Sequence, residues 1–226
     1  SQTEMAVIVN LVLLHGGAAS YKSNPDGTKE VYELNTTLYA ALNDPIDPVQ
    51  GRDVSRFLAA QAILLSLAGV PGIYYHSLFG SANDLQAVKA TQHNRSINRH
   101  KFELHQLESK LSDKESRTNK LFEGMKQLLA IRVSQPAFDP HARQKTIHLD
   151  DRVFGLLREN PHRGSPVLVL INVSSEPFTL QIDLKEYGLE DVSNALDLLG
   201  GEHFQLDAAQ VQIAFSPYQQ YWIELV

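Results

Sequence analysis

The stretch GVPGIYYHSLFG, residues 69–80, decides how the rest of the chain is read. Pro71 fixes the backbone, the apolar run Ile73-Tyr74-Tyr75 follows, and Gly80 closes the stretch. A short run of β-branched and aromatic residues between turn signals predicts a strand, here over 72–76. A strand that is apolar on both faces suits a parallel sheet covered on both sides, with strand neighbours at both edges. It reads as the last inner strand of a barrel. Only 68 residues precede it, too few for seven earlier strand–helix pairs.

Upstream, residues 5–14 are apolar apart from Asn10 and predict a helix. HGGAASYKSNPDGTKE, rich in Gly, Ser, Asn and Pro, reads as a long exposed loop. VYELNTTLYAALND places Val31, Leu34, Leu38 and Leu42 near helical spacing, with stops at Pro45 and Pro48. Asp53 offers an N-cap to a helix running to about Ala68, increasingly apolar on all sides. Downstream, 81–113 is polar with short helical patterns. A longer helix over 116–134 gathers Leu121, Phe122, Met125, Leu128, Leu129 and Val133 on one face, and Pro136 ends it.

Near residue 137 the apolar period changes from helical to strand-like. KTIHLDD, VFGLLREN, PVLVLINVSS, FTLQIDL and VQIAFSPYQQYWIEL read as short strands between turns. The expected organisation is α/β over 1–137 and an antiparallel β domain over 138–226, a small sandwich able to fold on its own.

Composition narrows the function classes. The net charge of -6, with Lys and Arg scattered, argues against nucleic acid. No span reaches the roughly 20 apolar residues of a membrane crossing. Zero cysteines exclude a disulfide scaffold, a thiolate metal site and a cysteine nucleophile, and suit a reducing, cytoplasmic setting. The histidines show no metal-binding spacing, and no cofactor motif is present. Asp139, Asp150 and Asp151 read as turn residues.

Three stretches together carry a resemblance. GVPGIYYHSLFG is similar to the last barrel strand of the alpha-amylase superfamily. YELNTTLYAAL, followed later by NRSINRH, resembles its sucrose phosphorylase and glucosylglycerate phosphorylase branch. VLVLINVSSEPFTLQIDL and FSPYQQYWIEL resemble the β domain behind the barrel in these enzymes. The resemblance implies the C-terminal part of a (β/α)8 (TIM) barrel, over 1–137, followed by a small antiparallel β domain. It also implies that the first part of the barrel is not in this chain, since a complete barrel takes about 250 residues.

By the same resemblance, the parent enzyme moves a glucosyl group from an α-glucoside such as sucrose or glucosylglycerate to inorganic phosphate, with retention. Its partners are a small sugar and phosphate. Its nucleophile, acid–base and third carboxylate lie on strands preceding this chain, so no catalytic residue is expected here and the chain alone should be inactive. His15 is followed by Gly16 where the family requires an Asp. Three substrate-binding positions carry over: Tyr32 and Glu33 towards the acceptor, and Arg99 towards the glucosyl ring. Glu33 departs from the Gln of sucrose-specific enzymes. Arg95 lies four residues before Arg99 as a helical neighbour. Two other readings stay open. One is a hydrolase or transglucosylase of the same superfamily. The other is a non-catalytic carbohydrate-binding module, displaying Phe204, Phe215, Tyr218, Tyr221 and Trp222 on one β face. A strand at 72–76 without neighbours further predicts low stability, self-association, or dependence on a complementing N-terminal barrel portion.

Overall fold

A computed structural model describes residues 1–45 and 51–226, apart from the side chain of Gln2. The stop expected at Pro48 lies outside the described residues. The chain divides into two compact units, 1–57 with 73–122, and 58–72 with 123–226.

The first unit opens with α1 (Gln2–Leu14), started by a capping box between Ser1 and Glu4. The expected exposed loop is instead a hairpin, β1 (Ala18–Ser23) against β2 (Lys29–Asn35). The polar residues that suggested a loop build its turn. Asp26 Oδ1 accepts from Thr28 N at 2.9 Å, and Gly27 sits at φ +84°. The helix expected over 31–44 is therefore divided. Val31, Tyr32 and Glu33 extend in β2, and only α2 (Leu38–Leu42) is helical, capped by Thr37, whose hydroxyl accepts from Ala40 N.

Two long helices follow the sequence pattern. They are α3 (Arg52–Ser66), in which Asp53 lies inside the first turn rather than capping it, and, after the short helices, α7 (Arg117–Ser134). Between them the strand expected at 72–76 does not form. Residues 71–74 carry no strand pairing, and a helical turn, α4 (Tyr75–Leu78), begins at Tyr75. A ladder needs a neighbour to receive its hydrogen bonds, and among the described residues none is placed beside this segment. The remainder of 81–113 matches the expected short helices: α5 (Leu85–Thr91), a 3-10 turn (Asn94–Asn98) and α6 (Leu104–Ser112).

The second unit is a sandwich whose strands all pair antiparallel. The larger sheet has the order β3 (Arg143–Ile147), β4 (Val153–Glu159), β5 (Val167–Asn172), β11 (Gln220–Leu225), β7 (Ala195–Asp197), β8 (His203–Phe204). The smaller runs β6 (Phe178–Asp183), β10 (Gln210–Phe215), β9 (Leu206–Asp207). Leu157, Leu168, Leu170, Tyr221 and Ile223 from the first sheet meet Ile182, Val211, Ile213 and Phe215 from the second in one core. Such interdigitation of inner faces is what joins a sandwich.

Strand β5 is buried at every position, so the larger sheet is covered on both faces. Residues of alternate parity supply the second face. Trp222 packs on Phe138 with centroids 4.6 Å apart, and Arg158 reaches the carbonyl of Ser66. Leu65, Met125 and Leu128 are buried in the same unit. Val133, expected beside them, is 86% exposed. Five residues on from Leu128 it lies roughly 140° around the helix. Gly155 is required where β4 meets β3, because a Cβ there would sit 2.4 Å from the carbonyl oxygen of Ile147.

Candidate functional site

The hairpin and the 3-10 turn bring together residues far apart in sequence. Tyr32 and Glu33 sit on β2, and Arg95 on the turn at 94–98 faces them. Arg95 Nε and Nη2 each lie 3.2 Å from Glu33 Oε2. Glu33, with a smaller contribution from Tyr32, raises the Arg95 guanidinium above its ordinary pKa. An exposed pair of this kind adds little to stability. Its effect is to orient the guanidinium and neutralise the carboxylate.

Arg99 ends the same turn, is exposed, and makes no side-chain hydrogen bond or ion pair among the described residues. The structure thus joins Glu33 to Arg95 rather than to Arg99. Arg95, taken above as a helical neighbour of Arg99, instead completes a cluster with the hairpin. The next residue, His100, binds Asp84 at 2.9 Å, and Asp84 also caps α5 by accepting from Ala87 N at 2.8 Å. The Ala87 amide first, and His100 second, hold the Asp84 carboxyl below its usual range.

His15 is a structural donor. Its Nδ1 lies 3.1 Å from the carbonyl oxygens of both Ala40 and Ala41, which can only accept. Asp139 and Asp150 close turns, accepting from the amides of His141 and Arg152. The aromatics considered for a glycan platform are core residues. Phe204, Phe215, Tyr218 and Tyr221 are at most 8% exposed and Trp222 is fully buried, so no stacking face exists for that module. Among the described residues, no group of three His, Cys, Asp or Glu side chains is placed to hold a metal ion. Among the described residues, no helix is long and apolar enough to cross a membrane.

Sequence reasoning passed over His76. It is 3% exposed, its Nδ1 lies 2.8 Å from Ser81 Oγ, and its Nε2 has no partner among the described residues. The rings of Tyr75, Tyr74 and Phe102 surround it at 4.1, 5.1 and 5.2 Å. Burial, then the nearby His100, lowers its pKa. The unfolded chain therefore takes up this proton at a higher pH than the folded chain, and stability falls as pH drops below about 6.5. Thermal melts between pH 8 and pH 5 are expected to show a descending midpoint that His76→Phe partly flattens. Parallel profiles for the two proteins would contradict this.

The protein's fold matches solved structures. The structure of sucrose 6F-phosphate phosphorylase from Thermoanaerobacter thermosaccharolyticum superposes with a TM-score of 0.62 at 24% identity, covering 76% of this chain and 31% of that one. An alpha-amylase from Geobacillus thermoleovorans, complexed with acarbose, gives a TM-score of 0.61 at 14% identity, covering 83% of this chain and 35% of that one. These likenesses show the fold, one shared with about a third of each of these enzyme structures.

Sequence similarity narrows this to a branch. A glucosylglycerate phosphorylase of Spirochaeta thermophila is 43% identical over 169 residues, 74% of this chain and 28% of the relative. The glucosylglycerate phosphorylase of Escherichia coli is 30% identical over 223 residues, 99% of this chain and 37% of the relative. The chain is a homologue of the glucosylglycerate and sucrose phosphorylases. It spans roughly a quarter to two fifths of the length of these relatives. No protein-family model matches it.

Proposed function

We propose that this chain is the C-terminal segment of a retaining α-glucosyl phosphorylase acting on glucosylglycerate, with the barrel ending and the β domain beginning near residue 137. The observation that carries this is the 43% identity to a glucosylglycerate phosphorylase across 169 residues. In such an enzyme one carboxylate attacks the anomeric carbon while a second protonates the leaving group. Phosphate then takes the glucosyl group from the covalent intermediate. Neither carboxylate is assigned to this chain.

Its own residues would supply binding. Arg99, with its fork unengaged, suits the hydroxyls of the glucosyl ring. Tyr32 and Glu33 would face the acceptor. The Glu33–Arg95 pair gives that side both a carboxylate and an oriented cation, a different donor set from a neutral Gln. The exposed apolar residues of α1, including Met5, Ile8 and Leu14, would supply a surface for the preceding barrel portion. The partner would be that portion, with sugar and phosphate as the small molecules.

A chimera tests the reading. In it, this chain replaces the matching segment of the Spirochaeta thermophila enzyme. It is expected to release glucose 1-phosphate from glucosylglycerate only when phosphate is added, while the isolated chain releases none. A folded chimera that yields free glucose with or without phosphate would favour the hydrolase reading instead.

A further inference from the structure

The 3-10 turn Asn94–Asn98 runs straight into Arg99, the residue assigned above to the glucosyl ring. Such a turn is short and its hydrogen bonds are poorly aligned, so it does not fix the chain beyond it unaided. Its last carbonyls also lack donors within the turn. Here they are met from outside. Ile97 O accepts from the Asp84 amide at 2.9 Å, and the Ile97 side chain is buried. Asn98 O accepts from the Tyr74 hydroxyl at 3.0 Å. Just past Arg99, His100 O accepts from the Tyr75 hydroxyl at 3.4 Å. The His100 ring in turn donates from Nδ1 to Asp84 Oδ2 at 2.9 Å, a carboxylate being able only to accept.

The two tyrosines are themselves held. Their rings meet edge to face at 5.1 Å, and both lie against the buried His76 ring, Tyr74 at 5.1 Å and Tyr75 at 4.1 Å. Phe102 closes the cluster, 6.2 Å from the Tyr75 ring and 5.3 Å from that of His100. Packed rings aim the hydroxyls, and the hydroxyls hold the backbone on both sides of Arg99. The Arg99 side chain is left exposed, with no hydrogen bond or ion pair among the described residues. A free guanidinium on a fixed backbone has less freedom to lose on binding than one on a mobile loop.

We propose that Tyr74 and Tyr75 are positioning residues, whose hydroxyls pin the carbonyls flanking Arg99 and so aim its guanidinium at the glucosyl ring. This rests on the reading of Arg99 as the ring contact. Tyr74 carries the larger share, because its bond is the shorter of the two. Both act through Arg99, and phenylalanine at either position keeps the ring packing and removes only the hydroxyl.

Two measurements test this. On the full chain, amide hydrogen exchange at residues 97–100 is followed by NMR. Tyr74→Phe is expected to speed exchange of the Arg99 amide about tenfold, the effect of losing one hydrogen bond, and Tyr75→Phe to speed it less. In the chimera, Tyr74→Phe is expected to lower kcat/KM for glucosylglycerate about tenfold. With Arg99→Ala already present, the same change is expected to lower it by less than about twofold, because the side chain it aims is gone. A tyrosine with a merely structural role would act equally in both backgrounds. The cycle reads the same on phosphorolysis or on hydrolysis, so failure of the phosphorylase reading is seen separately, as glucose released without phosphate. An unchanged Arg99 amide in Tyr74→Phe overturns the proposal. So does an undiminished effect of Tyr74→Phe beside Arg99→Ala, or no effect of Tyr74→Phe on its own.

Discussion

Trp222→Ala is expected to lower the unfolding free energy of the chain by about 3–5 kcal/mol, the range for deleting a large buried aromatic. Trp222 is fully buried on β11, between β5 and β7, where it sits opposite Val169. Its neighbours Tyr221, Ile223 and Leu225 point into the core between the two sheets. Trp222 points the other way, onto Phe138. Its backbone amide is held by Asp197 Oδ1 at 3.0 Å, so the strand cannot easily shift to fill the space. The indole Nε1 has no partner among the described residues, so no hydrogen bond offsets or adds to the packing loss. Trp222→Phe should lose less, because a ring still meets Phe138. As Trp222 is the single tryptophan, urea unfolding should be followed by far-UV circular dichroism. A loss below about 1 kcal/mol would show that this face of the sheet is not packed as described.

That second covered face is also what the sequence conceals. The strands of the sandwich were legible because β4, β5, β10 and β11 are β-rich runs bounded by turn residues. Alternation in QYWIEL shows which side chains share a face, but not whether a face meets solvent or protein. Tyr218 and Trp222 thus suited an exposed platform as well as a core. The composition changes near residue 137, whereas compactness follows contacts: 58–72 and 123–137 group with the sheets, to which Arg158 ties Ser66 and Glu224 ties Gln135. The short strands β7, β8 and β9 escaped notice because two or three residues carry no period.

In the first unit the errors have one cause. VYELN followed by TTLYAAL holds apolar residues at spacings compatible with a helix, and only the pairing of β2 with β1 selects the strand. At 72–76 the reverse applies: local propensity favours a strand, and without a neighbour the chain leaves it for a helical turn. The sequence offers Tyr32, Glu33 and Arg99 only as single candidate positions. The bond that organises the site, Glu33 to Arg95, joins residues too distant in sequence for any local pattern to reveal.

Arg158→Ala is expected to cost about 3–5 kcal/mol, comparable to removing one member of a buried charged hydrogen-bond network. Arg158 is fully buried on β4 and makes no ion pair with a carboxylate among the described residues. Its Nη1 donates to Ser66 O at 2.9 Å and its Nη2 to Asp139 O at 2.8 Å. Arg132 works beside it, donating to the carbonyls of Leu65, Leu67 and Gly69. The two guanidiniums thereby satisfy carbonyls left open where α3 ends, the negative end of its dipole. Burial first, then Arg132, pushes Arg158 down to about 10, still charged at neutral pH. Its removal relieves that desolvation but takes the donor from the buried Ser66 carbonyl, worth about 1–3 kcal/mol, and adds a cavity, while the Asp139 carbonyl still accepts from Ala142 N. Arg158→Met separates these effects, since it restores volume without donors. Arg158→Met is expected to recover part of the loss in urea unfolding and to remain clearly below the parent chain. If Arg158→Met matched or exceeded the parent, the buried cation would be a net cost and the carbonyl contacts at the end of α3 would be dispensable.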